Sequence, residues 1–226
     1  MSATIINQDT AITQVNTESS TIMNKLSRFA SPIMYILAGI ILIASISYPY
    51  WGMVLLAPQY PGGLEMRVFV NYMTGDDDPR LDEVREIDGL NHYIGMKSLY
   101  EAAQFERSIA IPGIIAMVVL LLVAAVWHKR WTWILTLPAV TFPAVFLGDL
   151  AFWMNHYGQN LDPYAPLSSA IKPFTPPVLG EGVSGQFRTI ANVDIGWFMA
   201  LGAGVLILIG LLIRFGVYAN QRSQKG

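Results

Sequence analysis

Residues 108–127 read SIAIPGIIAMVVLLLVAAVW, a run without a single charged side chain. A bilayer's hydrocarbon core is about 30 Å thick and takes roughly 20 apolar residues of α-helix to cross. Three further stretches approach the same length and character: Ser31–Tyr50, Trp131–Met154 and Val193–Val217. A soluble domain of 226 residues has no core able to hide four such helices. Composition agrees, with 53% hydrophobic and only 13% charged residues, against about 25% charged in soluble domains. The reading is an all-α integral membrane protein, a four-transmembrane-helix bundle. Its outer connections are residues 51–107, with a small α+β loop of hairpin plus interfacial helix, and the Pro-rich 155–192.

Orientation follows from Lys and Arg near the spans. Lys25 and Arg28 precede the first, Lys129 and Arg130 fill the turn between the second and third, and Arg222 and Lys225 follow the fourth. All share one face in a four-span arrangement. Residues 51–107 instead carry ten acids (Glu65, Asp76, Asp77, Asp78, Asp82, Glu83, Glu86, Asp88, Glu101, Glu106) against five bases. Both termini are therefore expected in the cytoplasm and both long loops outside, in a multi-pass protein. Residues 1–30, rich in Ser, Thr, Asn and Gln, read as a disordered cytoplasmic tail, and 219–226 as a second, short one. The competing reading of the first run as a signal peptide with small residues Ser45 and Ser47 is disfavoured. The run exceeds the usual 7–15 residues, and its polar lead is too long.

Within the first outer loop, Leu64, Met66, Val68, Val70 and Tyr72 alternate with Glu65, Arg67, Phe69 and Asn71, the period of a strand. After the turn at 75–79, Val84–Asp88 is the expected return strand. A helix is expected from Asn91 to Arg107. Pro138 and Pro143 predict a kink in the third span, with Thr141 or a neighbouring helix satisfying released carbonyls. The prolines of 155–192 predict an extended, polyproline-like connection rather than a sheet. Gly196, Gly202, Gly204 and Gly210 predict close helix approach along the fourth span.

The chain contains no cysteine, which excludes disulfides, iron–sulfur clusters and covalent c-type haem within it. A net charge of −2 without a basic stripe gives no footprint for nucleic acid. Walker, Rossmann, nucleophile-elbow and zincin motifs are missing from the sequence, and no catalytic or cofactor-binding residue is assigned. The remaining soft ligands are Met and His. His92 and Met96, at i,i+4 if helical, would present imidazole and thioether to one copper ion, and Met154 and His156 offer a second pair. Against this stands the ordinary role of each residue alone: His bonded to a carbonyl, Met filling a gap. Asp149 and Asp194, near the outer ends of the third and fourth spans, are expected in structural pairs with Arg188 as partner, or Asp194 at a helix N-terminus. Asp76, Asp77, Asp78 and Asp82 fit no EF-hand spacing and read as a solvated acidic turn. His128 reads as a headgroup contact.

Two patches carry a resemblance. One is Tyr48-Pro49-Tyr50-Trp51-Gly52-Met53 through Ala57-Pro58-Gln59-Tyr60-Pro61, leading to Ile87-Asp88-Gly89-Leu90-Asn91-His92-Tyr93-Ile94-Gly95-Met96. The other is His156-Tyr157-Gly158-Gln159-Asn160-Leu161-Asp162-Pro163-Tyr164-Ala165-Pro166 with Phe174-Thr175-Pro176-Pro177. Together they resemble the NosB-like multi-span membrane proteins associated with Sec-type nitrous oxide reductase gene clusters, over about half of the chain. The resemblance implies a non-catalytic accessory subunit in the bacterial inner membrane. Such a subunit docks or matures an extracytoplasmic copper redox enzyme, as a hetero-oligomer with membrane or periplasmic subunits. The alternatives are a purely structural subunit of a membrane oxidase or monooxygenase, and a quinol-handling electron-transfer protein using Asp149 and His156.

Overall fold

A computed structural model of the chain describes residues 29–76, 80–127 and 129–223. Of the expected tail at 1–30, residues 1–28 lie outside the described residues, as do Asp77, Asp78, His128 and the last three residues, while Phe29 and Ala30 already belong to a helix. Three helices are long and apolar enough to cross a membrane: Gln104–Val126, Trp131–Gln159 and Ile195–Gly216. Only 22%, 17% and 39% of their apolar windows are buried within the protein. Side chains such as Ile115, Val119, Leu122, Val145, Phe152 and Leu212 face outward. Apolar surface of that extent requires lipid rather than water. The chain is a membrane protein.

In chain order the elements are α1 (Phe29–Ser45), β1 (Trp51–Ala57), β2 (Tyr60–Val68), β3 (Met73–Thr74), α2 (Glu83–Ile94) and α3 (Gln104–Val126). There follow a 3-10 turn over Arg130–Thr136, α4 (Leu137–Gln159), β4 (Gly180–Ser184), β5 (Phe187–Val193) and α5 (Ile195–Ser223). α1 has 17 residues, about 25 Å at ~1.5 Å per residue.

The strands form one antiparallel sheet in the order β3-β2-β1-β5-β4. Its centre, β1, follows the end of α1, and β5 runs straight into α5. Trp51 pairs with Val68 on one side and Val193 on the other. The ladder continues below the sheet, where Tyr50 N–H donates to Val68 O (2.8 Å), Asp194 N–H to Tyr50 O (2.9 Å) and Gly196 N–H to Pro49 O (2.7 Å). A Cβ on Gly196 would lie 2.6 Å from the Tyr50 ring and 2.7 Å from Tyr48 O, so only glycine fits this seam. At the other end of α5, a Cβ on Gly210 would lie 2.7 Å from the Tyr35 ring of α1. Gly204 faces Val140 at looser range, and Gly202 meets nothing.

Two cores result. Tyr35, Ala38 and Leu42 of α1 pack with Ile114 and Leu121 of α3, Ala139 of α4, and Ala200, Ala203 and Ile207 of α5. Trp51, Leu55, Leu64, Met66 and Ala191 of the sheet pack with Val84 and Ile87 of α2. Phe146 of α4 touches both. Tyr50 fixes the boundary: its hydroxyl is 2.6 Å from Ser45 Oγ, and its ring meets Phe142 and Phe146 at 5.8 and 5.1 Å.

Several expectations need correction. The all-α, four-span description gives way to three helices of span length, with the expected first span at 31–50 helical only to Ser45, and a five-stranded sheet. The alternation at 64–68 is real, with Leu64 and Met66 buried, but its hairpin partner is β1. Val84–Asp88 is helix, because Asp82 Oδ1 accepts from Arg85 N–H at 3.1 Å as an N-cap and acids fill the first turn. Val84, Ile87 and Ile94 then fall on one buried face. That helix stops at Gly95, and residues 95–103 intervene before α3, so 91–107 is no single helix. The second outer loop is extended over only a short part: α4 runs to Gln159, residues 163–170 form consecutive turns, with Ala165 N–H donating to Asp162 O and Ser168 N–H to Ala165 O, and only 171–177 lack turns and regular structure. It then forms a hairpin whose Ser184 pairs with Phe187 across Gly185-Gln186, Gly185 having φ +60°. α4 runs as one element through Pro143; Thr141 Oγ1 bonds Leu137 O at 2.9 Å, and Trp197 Nε1 bonds Pro143 O at 2.9 Å.

The Gly196 seam sets a test. Gly196→Leu forces the Tyr50 ring and Tyr48 carbonyl apart and should cost about 1–3 kcal/mol, read as a lower unfolding temperature in detergent. Gly202→Ala should leave that temperature unchanged within error; equal losses in both variants would show that the seam has no special role.

Candidate functional site

The outer layer is stitched to the membrane helices by side chains acting on backbone. The largely buried Glu83 carboxylate accepts from Glu65 N–H (3.0 Å) and Asp76 N–H, joining α2 to β2 and the following turn. Asp88 accepts from Ser98 Oγ (2.9 Å) and Leu99 N–H (2.7 Å), holding the segment between α2 and α3. Trp51 Nε1 donates to Val178 O at 2.5 Å. Phe174 N–H donates to Gly158 O, and Thr175 Oγ1 to Asn155 Oδ1, fastening the Pro-rich segment to the end of α4. Carbonyls and amides left over by irregular chain are thereby satisfied.

These attachments frame a cavity of about 620 Å³. Trp51, Met53, Leu55, Met66 and Val68 of the sheet close it above, Ile87, Leu90 and Ile94 of α2 form one wall, and Phe174–Pro177 form another. It descends between α3 and α4 past Ile109, Gly113 and Met117 on one side and Phe142, Val145 and Phe146 on the other. The lining is dominantly apolar and aromatic. Glu106 and Arg107 at the start of α3 and Asp149 on α4 place charge at its middle. The Asp149 carboxylate lies beside the indole N–H of Trp153, one turn along α4, and in the neighbourhood of Glu106 of α3. Trp153 Nε1 is nevertheless buried without an aligned hydrogen bond among the described residues. Arg107 is engaged, donating from Nε to Asn71 O (3.3 Å) and from Nη1 to Tyr100 O (3.4 Å).

The four sulfur and imidazole candidates are distributed. Met96 and Met154 both line the cavity. His92 and Met96 border a second, shallower pocket with Arg85, Asp88 and Ser98. They do not share a helix face, because α2 ends at Ile94 and Met96 lies beyond the left-handed Gly95 (φ +83°). Arg85 in the same pocket opposes a bound cation. His156 borders neither pocket; exposed on α4, it stacks on Phe152 at 6.0 Å and meets Tyr157 edge-on at 5.5 Å, an arrangement suited to a membrane interface. Among the described residues no group of three or more His, Cys, Asp or Glu could hold a metal.

The acids also find definite places. Asp194 caps α5, its Oδ1 accepting from Ile195 N–H at 2.6 Å. Arg188 pairs with Glu181 across the β4–β5 hairpin rather than with Asp149 or Asp194. One functional-looking residue was missed in the sequence: Arg214, 6% exposed inside α5. Its Nη1 donates to Thr132 Oγ1 at 3.0 Å, and its guanidinium sits 5.0 Å from the Tyr35 ring centroid. A lone arginine in an apolar span was the available signal.

The two patches that carry the resemblance meet in space. Asp162 N–H donates to Gly95 O (2.8 Å) and Leu167 N–H to Tyr93 O (3.0 Å). A Cβ on Gly95 would lie 2.7 Å from both Asp162 N and O. The junction leaves His92, Tyr93 and Tyr164 exposed, Tyr164 at 93%. Gly95→Ala should therefore speed amide hydrogen exchange at Asp162 and Leu167 and destabilise by about 1–2 kcal/mol. Unaltered exchange at both amides would refute the junction. Neither a family model nor a curated protein matches this chain.

Proposed function

We propose that the chain is a four-span accessory subunit of the bacterial inner membrane, with cytoplasmic termini, that docks an extracytoplasmic redox enzyme through its outer layer. The observation carrying this reading is the junction of Leu90–Met96 with Leu161–Leu167. It anchors the irregular segment 161–167 to the end of α2 and leaves Tyr93 and Tyr164 presented, 53% and 93% exposed. Exposed aromatics on a rigid base are the usual anchors of a protein interface. The acidic excess of residues 51–107 adds a field that draws in a basic partner surface and fades with salt. α1 supports the fourth span: its 17 described residues cover most of a bilayer core. The resemblance supplies the partner's class, a copper enzyme. A narrower second reading, transient copper contact, rests on His92 and Met96 bordering one pocket.

Because the chain lacks cysteine, single-cysteine variants report topology cleanly. Arg85→Cys and Ser169→Cys should both react with a membrane-impermeant maleimide on intact cells, and Lys129→Cys only after lysis; labelling of 85 and 169 from opposite sides would end the proposal. A photoreactive phenylalanine at Tyr164 should crosslink a copper enzyme in native membranes, with yield falling as ionic strength rises. Adducts with lipid alone would reject docking. Copper titration of His92→Ala/Met96→Ala should show weaker binding than the parent chain, and identical isotherms would discard the copper contact.

A further inference from the structure

We infer that the cavity beneath the sheet binds a long-chain quinol from the outer leaflet, its ring at Glu106 and Asp149 and its isoprenoid tail between α3 and α4. The volume of about 620 Å³ falls inside the roughly 300–1,000 Å³ typical of small-molecule sites. The lower part lies between two membrane-spanning helices, where Gly113, Met117 and Val145 line it. An apolar tail passes into it from lipid without crossing water. The upper part is closed by the sheet and by Pro176 and Pro177, so the occupant ends there in a compact head.

The chemistry of that head follows from the polar lining. Lys97 is paired with Glu101, and Glu181 with Arg188. Arg107 is spent on two backbone carbonyls. Glu106 and Asp149 are left without an ion pair among the described residues, and both line the cavity. Two carboxyl groups offer no cation to a phosphate-bearing lipid head and match a neutral ring bearing hydroxyl donors, since carboxyl oxygens accept hydrogen bonds. Trp51, Phe146, Trp153 and Tyr157 supply flat apolar faces against which such a ring packs. Binding alone is inferred; the reading does not depend on the docking face described above.

Gly113 offers a discriminating variant. It lines the cavity, yet a Cβ there meets no atom within 4 Å, so a large side chain enters the void without displacing protein. Gly148 on α4 is equally open but outside the lining, and serves as control. The full chain in phosphatidylcholine nanodiscs would be equilibrated anaerobically with decylubiquinol, and bound quinol quantified after gel filtration. Saturable retention is expected, weakened about tenfold or more by Gly113→Trp, a loss of ~1.4 kcal/mol, and unaffected by Gly148→Trp. Asp149→Asn should weaken decylubiquinol more than oxidised decylubiquinone. Retention that is non-saturable, or equal in the two tryptophan variants, overturns the site. So does a tightly held phospholipid that decylubiquinol fails to displace from the parent chain.

Discussion

The structure depends on a backbone seam where lipid gives way to water. Pro49 and Tyr50 leave α1 and present their carbonyls to the amides of Gly196 and Asp194, which open α5. The membrane bundle and the outer sheet are therefore one hydrogen-bonded object rather than two domains on a linker. Irregular backbone at the edge of a bilayer is costly unless its polar groups are satisfied. Here a ladder satisfies them. Glycine at 196 is the steric condition for the two chains to approach, and the Tyr50 side chain, bonded to Ser45 and lodged against α4, seals the joint.

From that seam the remaining architecture follows. The sheet is centred on β1 because α1 delivers it there, and α2 covers the face bearing Trp51, Leu55 and Met66. α3 and α4 have fewer ties to the sheet, and the space under it is where the cavity lies. Buried acids such as Glu83 act on neighbouring amides and so behave as structural staples. Among the described residues Glu106 has no such tie and Asp149 has only the neighbouring Trp153 indole, which separates both from the staples of the outer layer.

The membrane character was legible because length and missing charge are local properties of 104–126, 131–159 and 195–216. The strand at 64–68 was legible from alternation, but its partner was not. β1 reads Trp-Gly-Met-Val-Leu-Leu-Ala, and an apolar run flanked by strands on both sides shows no period of two. It merged with the interfacial aromatics before it. The density of proline at 163–177 hid the hairpin that follows. Met96 and Met154 were singled out as members of two separate ligand pairs, His92 with Met96 and Met154 with His156, and these two methionines line one cavity. The cavity itself has no sequence signature, since the sheet, α2, α3, α4 and the Pro-rich segment each contribute only a few side chains.

The strand order also constrains biogenesis. β1 follows the first helix early, yet its partner β5 is made only after α3 and α4. During synthesis one edge of the future central strand stays bare until β5 is made. A ribosome that stops before β5 therefore leaves an aggregation-prone intermediate rather than a smaller stable protein.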